Sequence, residues 1–242
     1  MAFDFEYEKL ETLHEDPLVE PFENWHHEGV GRLAPAPEGG MRLHCFGSRQ
    51  GREGCMAFFR PTLPDRIAVE YDIIIRSHGG LVINYVAIRG IRGEDMIAEA
   101  DRLEPRTGIM ANYWSRQWGL QSYHVSISRF RDAGEHTGTC NWRRNPGCYL
   151  VAHGKDYVRE LNRGYHIELV KDAGHLALSV DGECAHGFVD RDETRGPIPD
   201  TGKFGFRLIG SDVAADVSDF KVRRLGPCEK VWAVNEEQPP VR

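Results

Sequence analysis

Two short stretches of this chain hold the residues best suited to chemistry. QSYHVSISRF, Gln121 to Phe130, carries His124 among serines, and NWRRNPG, Asn141 to Gly147, carries Arg143, Arg144 and Asn145. A guanidinium grips a carboxylate through two parallel hydrogen bonds, so the arginine pair suits a uronic acid. Removing the weakly acidic proton beside such a carboxylate requires groups that neutralise it and a nearby His or Tyr that accepts the proton. His124 is the first choice of base and Tyr123 the second, with Arg143, Arg144 and Asn145 as neutralisers. Asn-Pro followed by Gly is a turn signal, which places both arginines at or near a loop. A solvated basic turn paired with acidic neighbours explains the same residues without a ligand.

Other residues could complete or replace this set. Glu94 and Asp95 lie in an irregular charged insertion and could reach a groove rim as hydroxyl acceptors, a base or a cation site. In the same insertion EADRLE, Glu99 to Glu104, matches the E-x-D-x-x-E pattern of laminarinase-like hydrolases, which need two carboxyl groups about 5 Å apart. Here the intervening Ala100, Arg102 and Leu103 suit a short exposed helix better than a bulged strand. Tyr113, Trp114, Trp118 and Trp142 could stack on the apolar faces of sugars or fill a core. His26 and His27 lack a partnered ligand set, and the six cysteines form no CxxC pair, so no zinc module is read. Free thiols are the simplest reading, with a Cys140 to Cys148 bridge as the alternative. A structural calcium is the one cofactor left open, because converging oxygens cannot be read from one sequence.

The elements that must position these groups are strands. On a two-residue period, Tyr123, Val125 and Ile127 share one face of their strand, and Ser122, His124, Ser126 and Ser128 share the other. RIAVEYDIII alternates in the same way, and GLVINYVAI, IMANYW, GYHIELVK, HLALSVDG, ECAHGFVD, KFGFRLIG and ADVSDFKVRRL follow between turn residues. Strand character dominates from Arg66 onward; MIAEADRLE is the best short helix and Lys155 to Leu161 a weaker one. Many short strands without βαβ alternation predict an all-β, antiparallel β-sandwich. The 242 residues read as one domain over 1–234, with 235–242 as a loose tail. A net charge of −7 argues against nucleic acid as a partner. No apolar run is long enough to span a bilayer and no secretory signal is visible, so a cytoplasmic protein without a membrane partner is expected.

GYHIELVKDAGHLALSVDGECAHGFVD, followed by GKFGFRLIG and VSDFKVRRL, resembles the closing strands of concanavalin A-like jelly rolls. FENWHHEGVG, PDRIAVEYDIII, GEDM, SYHVSISRF and NWRRNPGCYLVAHGKD together resemble the YesU-like family of unknown function, over nearly the whole chain. The resemblance implies a carbohydrate ligand and a sheet bent into a concave groove, with a sugar lying across it. His124, Ser126 and Ser128 would then face the groove while Val125 and Ile127 fill the core. Two functions remain open. One is an enzyme cleaving an acidic oligosaccharide by β-elimination, with His124, Tyr123 and Arg144 as catalytic residues and Arg143, Asn145, Ser126, Glu94, Asp95, Trp114 and Trp142 as substrate contacts. The other is a non-catalytic sugar-binding jelly roll, and hydrolysis through the Glu94 to Glu104 segment ranks third.

Overall fold

The computed structural model describes residues 2–48, 53–117, 119–131 and 133–234. In chain order its strands are β1 (Ala2–Asp16), β2 (Trp25–Gly29), β3 (Gly31–Pro35), β4 (Met41–Cys45), β5 (Gly54–Phe59), β6 (Ile67–Ile75), β7 (Gly80–Gly90), β8 (Leu120–Ile127), β9 (Thr139–Asn145) and β10 (Tyr149–Lys155). Then come β11 (Gly164–Asp172), β12 (His175–Val180), β13 (Glu183–Val189), β14 (Lys203–Gly210) and β15 (Val213–Val234). They form two antiparallel sheets. One has the order β13-β12-β11-β6-β15-β4-β3, with β1 also on β15, and the other β10-β9-β8-β7-β14-β5-β2.

The core lies between the sheets, and two-residue alternation supplies it. Ile67, Val69, Tyr71, Ile73 and Ile75 of β6 face Tyr123, Val125 and Ile127 of β8, and Phe204, Phe206 and Leu208 of β14, in one cluster. Each odd or even set points inward because a strand turns successive side chains to opposite faces. The inward set buries apolar area at about 25 cal/mol per Å². A smaller apolar cluster around Phe5, Val170 and Leu225 lies on the other side of the eight-stranded sheet, where β1 and β15 pair along their length.

Three local expectations change. Five strands precede Arg66. Their sequences, such as FEYEKLETLH in β1, alternate charge with apolar residues too weakly to announce themselves. IMANYW contains a helix, α1 (Met110–Trp114), because Met110 and Tyr113 lie one turn apart and both bury. The weaker helix at Lys155 to Leu161 is absent: β10 runs through Lys155 and an irregular segment follows. None of the six cysteines is in a disulfide; Cys140 faces the core while Cys148 turns to the opposite side, so the two thiols do not meet. No helix among the described residues is long and apolar enough to cross a membrane. The tail 235–242 and Trp118 lie outside the described residues.

Candidate functional site

The outer face of the seven-stranded sheet holds a cavity of about 390 Å³. Its register explains what lines it. Across β8 and β9, Ser122 pairs with Asn145, His124 with Arg143 and Ser126 with Asn141, all on the outer face. The intervening pairs, Tyr123 with Arg144 and Val125 with Trp142, point into the sandwich. His124, Ser126, Asn141 and Arg143 line the cavity, joined by Arg129 just beyond β8, Arg207 from β14, and Cys148. Ile83, Leu81 and Ile209 supply its apolar floor, and Trp114 and Met110 of α1 its wall. Among the described lining residues three are arginines and none is a carboxylate. The chain carries a net charge of −7, so a local cationic pocket in an acidic protein concentrates field on an anion.

His124 is buried at 2 % exposure. Burial, reinforced by Arg143 and Arg207, pushes its imidazole down to about 3, so it is neutral at ordinary pH. Asn145 Nδ2 donates to His124 Nδ1 at 3.0 Å and to Ser122 Oγ at 2.9 Å. With Nδ1 accepting, the ring proton sits on Nε2, which makes His124 a hydrogen-bond donor in this arrangement. Asn145 Oδ1 is buried without a partner. Arg143 donates from Nη1 to the Cys148 carbonyl at 2.8 Å, and Arg207 donates to Met110 Sδ at 2.7 Å and to the Gly108 carbonyl at 3.1 Å.

Several expected site residues lie elsewhere. NWRRN is strand up to Asn145, not loop, so consecutive Arg143 and Arg144 must face opposite ways. Arg144 is buried in the sandwich and ion-paired with Asp190 at 3.0 Å, and Tyr123 OH donates to the same carboxylate at 2.5 Å. Burial and Asp190 both push the Tyr123 hydroxyl far above its usual range, which removes it as a base. Trp142 fills the core. Ser128, the last of the alternating set, follows β8 in a left-handed conformation (φ 50°) and is not among the cavity-lining residues. Glu94 and Asp95 sit at a separate depression beside Lys203. There Asp95 pairs with Lys203 at 2.8 Å and accepts from the Ile97 and Ala98 amides, a cap for the following turn. Ala100–Arg102 is a 3₁₀ turn with no buried residue, so EADRLE does not form the bulged strand that hydrolysis would need. His26 pairs with Glu28, and no group of three metal-ligating side chains converges among the described residues.

Arg207, Arg129 and Asn141 had not been picked out from the sequence. Arg207 was within reach: in KFGFRLIG it is the polar residue between Phe206 and Leu208, the same signature that marked His124.

The insertion between β7 and β8 closes one side of this face. Met96, Leu103, Met110 and Tyr113 pack on Met56, Phe58, Tyr85 and Ile88. Arg106 clamps Glu28 of β2 at 2.6 Å in a buried pair, and Tyr113 OH donates to Glu28 at 3.0 Å. Gly29 and Gly108 sit back to back in left-handed conformations, and a Cβ on Gly29 would lie 2.9 Å from the Gly108 Cα. A side chain at either would push the insertion off the sheet.

Neutral buried histidines set an acid limit on the fold. His186 of β13 lies against the backbone of Gly154 in β10, and burial, then His153, lowers its imidazole to about 4. The unfolded chain protonates both His186 and His124 near 6.5, whereas the folded chain does not, so below that pH the unfolded state binds more protons. Stability therefore falls as pH drops from about 6.5 to about 4 for His186, and on to about 3 for His124. Glu28 and Asp216 are held below the usual carboxylate range, despite burial, by their ion-pair partners, so protonating them in acid withdraws stability as well. Melting temperature measured across this window should decline steadily, and His186→Leu should flatten the upper part of the decline. A wild-type curve level from about pH 6.5 to 4 would contradict this.

With the geometry in place, comparison with known proteins identifies relatives. The sequence profile of a family described as a domain of unknown function, DUF1961, matches residues 12–222. The uncharacterized protein YesU of Bacillus subtilis (strain 168) is 31% identical over 225 residues, spanning 90% of this chain and 98% of YesU. A Bacillus subtilis protein of unknown function with a galectin-like fold superposes with TM-score 0.81 at 28% identity, covering 91% of this chain and 99% of the other. The carbohydrate binding module CBM66 from Bacillus subtilis shares the fold at TM-score 0.55 and 12% identity, covering 86% and 99%. The expected jelly-roll sandwich is the fold present.

Proposed function

The chain belongs to this DUF1961 family, and from that premise we propose that its outer-face cavity binds an acidic, uronate-containing saccharide. The observation that carries the reading is the lining itself: Arg129, Arg143 and Arg207 with His124, Ser126 and Asn141, and no carboxylate among the described lining residues. Guanidiniums offer a carboxylate bidentate hydrogen bonds, Ser and Asn offer hydroxyl partners, and Trp114 offers a flat ring for a sugar face. The CBM66 module among the similar folds is a carbohydrate binding module by description, which agrees with a sugar ligand here. Retaining or inverting hydrolysis needs a carboxylate pair at the cleaved bond, so it ranks below the other readings.

A second reading, β-elimination, rests on one observation: His124 lines the cavity unprotonated among guanidiniums. The burial and cations that hold its imidazole down to about 3 also make it a weak base, so this reading ranks below binding. In that reaction the proton on the carbon beside the carboxylate moves to His124 Nε2. The freed electron pair forms a carbon–carbon double bond, and the glycosidic carbon–oxygen bond breaks on the other side. The leaving oxygen takes its proton from water. Nε2 must then carry the lone pair, which places the ring proton on Nδ1. Asn145 would have to turn Oδ1, now buried without a partner, toward it. Arg144 and Tyr123 take no part, since both belong to the interior pair with Asp190.

A panel of uronate oligosaccharides beside their neutral counterparts tests both readings, with calorimetric binding, ultraviolet absorbance and reducing ends measured in parallel. Binding to the acidic members alone is expected. Absorbance rising with reducing ends marks elimination; binding with neither marks a recognition protein. Neutral glycans bound as tightly as acidic ones would end the proposal.

A further inference from the structure

We infer that the site is a blind groove that receives the end of an acidic saccharide chain and excludes its interior, an inference that rests on the acidic-saccharide reading above. The hydrogen-bonded register lays one row of residues across all seven strands: Glu28, Met56, Arg207, Ile83, Ser126, Asn141 and His153. A chain lying across the sheet would follow this row, because it runs perpendicular to the strands. The middle four line the cavity. The first two do not. Met56 is fully buried beneath the insertion, and Glu28 is held by Arg106 and Tyr113. The last, His153, is half-exposed on the edge strand β10.

The groove thus stops at Met56 and opens at β10. The stop is built rather than incidental. The Arg106–Glu28 pair is buried, Gly54 N donates to the Gly108 carbonyl at 2.9 Å, and the Gly29–Gly108 contact leaves no gap between insertion and sheet. Arg207 stands beside this stop and Arg143 three strands farther toward the open edge, two residues along β9 from Asn141, so the innermost sugar unit has a guanidinium of its own. The cavity's volume of about 390 Å³ sits near the lower end of small-molecule sites, room for a chain terminus and not for a long stretch. A mid-chain segment lying along this row would have to leave through the insertion.

The test uses the intact wild-type protein and linear oligo-uronates several units long, in three forms: both ends free, reducing end opened and coupled to a bulky aryl amine, and non-reducing end capped by a bulky ether. Affinity is read by calorimetry. Blocking one end should weaken binding about tenfold or more while blocking the other leaves it unchanged. Equal affinity for all three forms would overturn end recognition and leave acidic-sugar binding standing. Failure of every form to bind, free ends included, would overturn both.

Discussion

Replacing Arg144 with alanine should lower the melting temperature by about 10 °C, the loss expected when a buried ion pair worth about 3–5 kcal/mol on breaking is cut in a domain of this size. The side chain is 2% exposed and uses both terminal nitrogens of its fork. Nη1 donates to Asp190 Oδ2 at 3.0 Å and to the Asp192 carbonyl at 2.6 Å, while Nη2 donates to the Gly196 and Pro197 carbonyls at 2.5 and 2.8 Å. One guanidinium therefore pins the segment between β13 and β14 to the interior side of β9. Removing it strands the Asp190 carboxylate beside the Tyr123 hydroxyl with no cation. Arg144→Lys should recover only part of the loss, since an ammonium cannot span four acceptors in one plane. Thermal melts of the two variants check this. A melting temperature within a degree or two of wild type for Arg144→Ala would return the residue to the expected catalytic set.

Its neighbour should behave in the opposite way. Arg143→Gln is expected to weaken binding of an acidic oligosaccharide by about thirtyfold, the value of one charge-assisted contact near 2 kcal/mol. The melting temperature should hardly move, because the side chain lines the cavity and bonds within the protein to the carbonyl of the turn residue Cys148. The wild-type affinity should fall with added salt, and the variant's more gently, since one ion contact is gone. Calorimetry at two ionic strengths reads both effects. Unchanged affinity in Arg143→Gln would remove this guanidinium from the site.

The opposite fates of these adjacent arginines show where the sequence was legible. In QSYHVSISRF the apolar members are all large and β-forming, so the period is clear. Val125 and Ile127 are buried in the core and His124 faces outward, as alternation demands. In NWRRNPG the turn residues dominate, and the turn reads as starting before the arginines. In the structure the strand persists to Asn145, so the same alternation that sorted β8 separates Arg143 from Arg144. Trp142 follows the same rule into the core. The insertion was the least legible part. It reads as an irregular charged segment with a short exposed helix, followed by a strand at IMANYW, yet Met96, Leu103, Met110 and Tyr113 bury against the sheet. The buried Arg106–Glu28 pair joins residues far apart in the chain, and one sequence does not reveal such a partnership.

The seal at Met56 also governs traffic. A groove open at both ends lets a protein slide along a polymer from one unit to the next; a dead end forbids threading. Each encounter must finish with the ligand backing out by the way it came, so successive events on one chain are separated by complete release. What such a protein counts is termini, not repeat units. At fixed mass of saccharide, its rate of engagement should fall in proportion as the chains lengthen, and any enzyme that cuts them shorter upstream would raise it.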